Sequence, residues 1–184
     1  MLVGADQGAC AFLIEQLLEE YFMNFTVLFN MQQELDEKIQ TQHNLEKENL
    51  VDRKILALLV EIGELANETR CFKFWSLKPP AHTDIILEEY VDGIHFILSL
   101  GLELNIDILM HFEDRESSAT LTEQFLIVYE TISAFKHNSS LSTYKNMFEE
   151  YLLLGKLLGF TSIQMEKAYI LKNEVNHKRQ QQGY

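Results

Sequence analysis

"LLVEIGELANE" at residues 58–68 and "ILEEYVDGIHF" at residues 86–96 decide how this chain is read. Each is an apolar run with two carboxylates three positions apart, Glu61 with Glu64 and Glu89 with Asp92. A helix advances about 100° per residue. That step puts Glu61, Glu64 and Glu68 in one stripe beside Leu58, Ile62 and Leu65. On the second run Ile86, Tyr90, Val91, Ile94, Ile97 and Leu98 make an apolar face, and Glu89, Asp92, Phe96 and Ser99 line the adjacent stripe. Each acidic pair therefore sits at the margin of a face built to be buried. Drawing four carboxylates together is costly without compensation. A hard divalent cation supplies it: Mg²⁺ takes oxygen ligands and keeps several waters, so Glu61, Glu64, Glu89 and Asp92 on two facing helices make a suitable cradle. One such pair alone reads as a solvated acidic face, because helices are full of them. Two pairs, each bordering an apolar stripe, point to a metal site.

The rest of the chain reads as helices with short punctuation. One helix is expected over about 24 to 45 and a second over about 48 to 70. Pro79-Pro80 breaks the pattern. Thr83 is a fair N-cap for a third helix, with Asp84 in its first turn, running to about Gly101. "NIDILMHFEDRESSA" is ambiguous. Thr120 with Glu123, and Thr161 with Gln164, are capping boxes, and Ser142 can cap the helix between them. The last helix runs to about Gln181. No β-type alternation of useful length appears. The expectation is an all-α bundle of about six main helices in a single domain over residues 23–184. Residues 1–22 stand apart. Codons for Glu19-Glu20 would suit a purine-rich ribosome-binding sequence ahead of Met23, which makes a leader one reading and an ordinary N-terminal helix the other.

The totals narrow the function. The chain has 184 residues, 47% apolar and 23% charged, which suits one globular domain. A formal net charge of −13 gives none of the basic footprint of a nucleic-acid binder. No apolar run is long enough to span a bilayer, and the start is not that of a signal peptide. Cys10 and Cys71 form no disulfide framework, and a reduced, cytoplasmic setting fits them. The six His show no zinc spacing. There is no GxSxG elbow, no phosphate-cradling GxxxxGK[ST] loop and no GxGxxG.

The pattern Glu61-x-x-Glu64, connector, Glu89-x-x-Asp92 resembles the all-α nucleoside triphosphate pyrophosphohydrolases, the MazG-like superfamily. "ELANETRCFKFW" (64–75), "LEEYVDGIHFILSLGLEL" (87–104) and "AYILKNEVNHKRQQQGY" (168–184) narrow the likeness to the dimeric all-α dUTPase family. It spans roughly residues 31 to 184, and residues 105 to 155 carry no usable motif. The resemblance implies a helical homodimer that hydrolyses dUTP, and usually dUDP, to dUMP. It implies two or more Mg²⁺ ions held by Glu61, Glu64, Glu89 and Asp92, with Glu61 or Glu64 acting through water as general base. Lys172, Asn176 and Arg179 share one helix face, which the resemblance assigns to the phosphates, with Tyr184 closing over the site. The plain alternative is a basic helix end that complements the macrodipole. Trp75, with Lys73 nearby, becomes a wall of the uracil pocket, and Phe96 a stacking surface beside the metals, ordinary packing being the alternative for both. "NMQQELDEK" (30–38) resembles the segment that reads base and sugar. Gln33 and Asp36 match it best, with Gln32 the alternative, and Asp36 stands where the family pattern has Asn. His95 reads as structural. A house-cleaning hydrolase of other nucleotides and an inactive nucleotide-binding regulator are the rival readings.

Overall fold

Six α-helices and no strands are found among residues 23–105 and 115–183, which the computed structural model describes. They are α1 (Phe25–His43), α2 (Val51–Thr69), α3 (Thr83–Glu103), α4 (Leu121–His137), α5 (Leu141–Leu157) and α6 (Ser162–Gln181). The all-α expectation holds. The possible leader at 1–22, most of the ambiguous stretch (106–114) and Tyr184 lie outside the described residues.

The helix starts follow the side chains that satisfy the first free N–H groups. Thr120 and Thr161 cap α4 and α6 with complete capping boxes, as expected. Two caps differ. Ser140, not Ser142, caps α5, because Thr143 returns the bond to the Ser140 backbone. The cap of α3 is His82, whose extended backbone lets its ring accept from the Asp84 N–H, so Thr83 is already helical.

Helix α3 runs through the middle of the bundle and packs against α1, α2, α5 and α6, while α4 joins α2 to α5. Its Tyr90, Ile94, Ile97 and Leu98 are fully buried. Against α5 the contact is made by tyrosine rings. The rings of Tyr90 and Tyr151 stack at 4.8 Å, and each hydroxyl donates to the other residue's backbone carbonyl, at 3.2 and 2.8 Å. Both helices need glycine there. A Cβ on Gly93 would lie 2.1 Å from the Tyr151 hydroxyl, and one on Gly155 2.4 Å from the Tyr90 hydroxyl. Gly93→Ala is therefore expected to destabilise the fold by about 1–3 kcal/mol, since inserted methyl groups in a packed core force shifts of that cost. Urea unfolding reads this, and an unchanged midpoint would show that the helices separate freely. The seam matters for function because Gly93 follows Asp92 directly.

Candidate active site

Helices α2 and α3 pack side by side, and their facing margins carry the acidic pairs. The buried stripe of Leu58, Ile62 and Leu65 on α2 holds Glu61 at the edge of the core. Tyr90, Val91 and Ile94 do the same for Glu89 and Asp92 on α3. Glu61, Glu89 and Asp92 each bring one carboxylate oxygen to within 4.8 Å of the others. Glu64 lies one turn along α2, exposed and outside this close trio, although its charge acts on both Glu61 and Glu89.

The electrostatics follow from this crowding. Burial, then the charges of Asp92, Glu64 and Glu89, raise the Glu61 pKa to about 7. Burial and the neighbouring carboxylates also raise Glu89. Burial raises Asp92, opposed by its hydrogen bond and charge interaction with Lys172. Three hard oxygen donors, half-buried and mutually repelling, fit a hard divalent cation.

One consequence concerns the metal-free protein. The folded pKa of Glu61 lies above its ordinary value of 4.5, so between pH 4.5 and about 7 the folded state binds more protons than the unfolded one. Stability from this residue is fully present below pH 4.5 and is lost as pH rises through about 7. Thermal unfolding in EDTA across pH 4–8 is expected to show this loss in the wild type and a smaller one in Glu61→Gln. Parallel curves for the two proteins would show that Glu61 is not strained.

On α6, Lys172 reaches into the same space. Its ammonium lies 2.7 Å from Asp92 Oδ2 and 2.8 Å from Glu88 Oε1, with the side chain only 10% exposed. Burial works against that charge, but the bonds to Asp92 and Glu88 outweigh it and raise the Lys172 pKa. Glu88 is in turn lowered by Lys172. Arg179, two turns further along α6, lowers both Glu88 and Asp92 through its charge. Asn176 lies between them, half-buried. The α6 stripe and the acidic pairs thus meet around Asp92.

Beyond Asp92 the site continues into a buried polar network. Gln32 and Asp36 occupy the inner face of α1, and Gln33 faces outward, where it donates to Glu37. The reason is the wheel. Gln32 is one turn from Leu28 and Phe29, which are buried, and Gln33 is rotated about 100° away. Gln32 Nε2 donates to Asp36 Oδ1 at 2.7 Å, while Gln32 Oε1 faces His95 Nδ1 at 2.8 Å and accepts from the Tyr169 hydroxyl at 2.9 Å. Lys54 and Ser99 both donate to Asp36 Oδ2. The His95 ring stacks on Tyr169 at 4.2 Å. Phe96, on the Asp92 side of α3, is half-buried against the core.

The connector stands apart. Trp75 is 65% exposed and packs edge-on against Phe72 and Phe74, and Lys73 bonds back to Asn67. Glu88 and Tyr169 went unremarked in the sequence, Lys54 was passed over, and His95 was set aside. Only Glu88 carried a usable sign, since it stands one α6-facing step from Asp92 and opposes a lysine on the neighbouring helix.

A family model described as dUTPase matches residues 24–184, and the chain belongs to that family, whose activity is dUTP diphosphatase. The comparison with curated proteins gives no match. No helix among the described residues is long and apolar enough to cross a membrane.

Proposed function

We propose that this member of the dUTPase family hydrolyses dUTP, and dUDP, to dUMP in a Mg²⁺-dependent reaction and works as a homodimer. The observation that carries the reading is the convergence of Glu61, Glu89 and Asp92 within 4.8 Å, faced by Lys172. Those three carboxylates would hold Mg²⁺, with Glu64 at the rim completing the set. When bound, the ions screen the phosphate charge and acidify water. The chain's own residues do the positioning. Glu64, outside the close trio, is available to take the proton of the attacking water, and Glu61 is the alternative. Lys172 and Arg179 supply cationic donors to the departing phosphates, Arg179 in forked geometry. Water adds to one phosphorus and the bond to the bridging oxygen breaks, giving dUMP with pyrophosphate from dUTP or phosphate from dUDP. Asn176 joins the α6 contacts, Phe96 stacks the base, and the Gln32–Asp36 face of α1 stands behind the base pocket.

The homodimer rests on a separate surface. Leu56 and Val60 on α2, Leu126 on α4, and Phe74, Trp75 and Leu77 in the connector are exposed apolar side chains. Beside them Gly63, Ala66, Cys71, Phe72 and Phe125 line a cavity of about 260 Å³ between α2 and α4. Exposed apolar side chains beside such a cavity suit an interaction surface. A second copy would cover it and enclose Trp75 as a wall of the uracil pocket. Sedimentation should give twice the 21.5 kDa chain mass, and Leu126→Glu should give the monomer. A wild-type monomer at micromolar concentration would remove the dimer.

The deciding assay measures phosphate and pyrophosphate release from dUTP, dUDP, dCTP, dTTP and UTP, with Mg²⁺ and with EDTA. The expected result is turnover of dUTP and dUDP alone, lost in EDTA. Comparable rates on UTP or dTTP would replace this reading with a house-cleaning hydrolase, and no turnover at all with an inactive binding protein.

A further inference from the structure

The buried network behind Asp92 has a definite hydrogen-bond direction, and its source is an ion pair. The Asp36 carboxylate accepts from Lys54 Nζ at 3.0 Å and from the Ser99 hydroxyl, and Lys54 is anchored in turn by Glu103 at 2.5 Å. A salt-bridged carboxylate only accepts. Gln32 must therefore turn its NH₂ to Asp36 Oδ1, which leaves its carbonyl oxygen facing His95 and Tyr169. A carbonyl oxygen also only accepts, so the proton between Gln32 and His95 sits on His95 Nδ1. Burial holds the His95 pKa down at about 3, so the ring is neutral and carries one proton. Its Nε2 is then a bare lone pair. That atom is buried and has no hydrogen-bond partner among the described residues. Such an acceptor is costly to leave unmatched.

His95 is one turn beyond Asp92 on α3, it feels the charge of Lys172, and it stacks on Tyr169, one turn before Lys172 on α6. With Nδ1 committed to Gln32, Nε2 is the edge left for a ligand. We propose that the Lys54–Asp36 ion pair acts as a polarity lock, fixing Gln32 and His95 so that His95 Nε2 is presented as an acceptor that selects a base with a ring N–H. Lys54 and Asp36 are positioning residues, acting through Gln32, and His95 is the specificity determinant. This deepens the proposed function. Uracil carries a ring N–H donor at N3, whereas cytosine carries a lone pair there, which would face the Nε2 lone pair. The aspartate at 36 is thus not a neutral stand-in for asparagine: an amide here would turn its oxygen to the Lys54 ammonium and its NH₂ to Gln32, which opposes the direction the carboxylate sets.

The test has two readouts on the full chain. Long-range ¹H–¹⁵N correlation of the imidazole reports the tautomer without any turnover. The wild type should show His95 neutral between pH 5 and 8 with the proton on Nδ1. Asp36→Asn and Lys54→Met should each move part of the population to the Nε2–H form. In both variants the dUTP KM should rise about tenfold or more, the scale of one unmatched buried hydrogen bond, with kcat within about twofold. The preference for dUTP over dCTP should fall by the same factor. Asp36→Asn is isosteric and keeps the measurement open if Lys54→Met folds poorly. An Nε2–H tautomer in the wild type overturns the lock. So does lower stability in the variants with tautomer and dUTP/dCTP ratio unchanged, which is what a merely structural role predicts. Failure of the wild type to turn over any nucleotide removes the proposed function and the selectivity claim with it, while the tautomer still decides the lock.

Discussion

Asp92→Asn is expected to lower dUTP turnover by at least about 10²-fold, which is about 2.7 kcal/mol of barrier. The substitution keeps the shape of the side chain and removes the charge at the point where three elements of the site meet. Asp92 belongs to the trio with Glu61 and Glu89, and it also receives the Lys172 ammonium at 2.7 Å. A neutral amide is a poor ligand for a hard cation, so the Mg²⁺ needed for half-maximal rate should rise together with the loss in kcat. Glu61→Gln is expected to fall as far, and it separates the two roles of the trio. Without metal it removes the buried charge and its repulsion with neighbouring carboxylates, which together raise Glu61 to about 7, so its melting temperature in EDTA at pH 8 should lie above that of the wild type. Asp92→Asn also breaks a bond to Lys172, and its melting temperature should not rise as much. Steady-state rates over a Mg²⁺ titration and melting curves in EDTA measure these quantities. Wild-type turnover in either variant would show that the trio holds no metal that matters to the reaction.

The helices and the acidic trio were legible because both follow from spacing along one helix. A step of about 100° puts Glu61 and Glu64, or Glu89 and Asp92, beside an apolar stripe whatever the rest of the chain does. What spacing on one helix cannot give is the distance between helices, and so it could not separate Glu61 from Glu64. Both share the stripe, but only Glu61 comes within the trio, and Glu64 stands out into solvent. Which of Gln32 and Gln33 faces inward was hidden for a related reason. A motif comparison aligns either one, and the burial of Leu28 and Phe29 decides it. Lys54, Asp36, Ser99 and Glu103 come from three different helices. No local pattern links them, and the network exists only once α1, α2 and α3 are packed. His95 read as structural because a lone histidine on an apolar face usually is. The orphaned Nε2 that gives it a second meaning is a property of the packed ring. Trp75 was placed rightly in the connector, but its exposure on a single chain was not foreseen.

Lys172→Met should raise the dUTP KM by about 10- to 100-fold while changing dUMP affinity far less. Charge-assisted hydrogen bonds contribute about 1.5–3 kcal/mol, which sets that range. The effect depends on where the ammonium stands. It is nearly buried, held between Glu88 and Asp92, and so already placed over the acidic trio before any nucleotide arrives. An acidic site alone attracts cations and repels a triphosphate. A fixed ammonium on the facing helix, with the Arg179 charge two turns beyond, should offset part of that repulsion for the outer phosphates. The product dUMP lacks those phosphates, so it should be nearly indifferent to Lys172, and release after hydrolysis becomes easy. Methionine keeps the length of the apolar stem and fills the same space, so lost packing should contribute little. Lys172→Arg should recover part of the affinity, because guanidinium still binds phosphate but does not fit the ammonium's place between two carboxylates. Arg179→Ala should show the same preference for dUTP over dUMP with a smaller loss, as befits an exposed side chain. Calorimetry with dUMP and a non-hydrolysable dUTP analogue in Mg²⁺ reads all three variants. Equal losses for both ligands would mean that the α6 stripe acts on the nucleoside or on the fold, and charge compensation at the outer phosphates would then have to come from the metal ions alone.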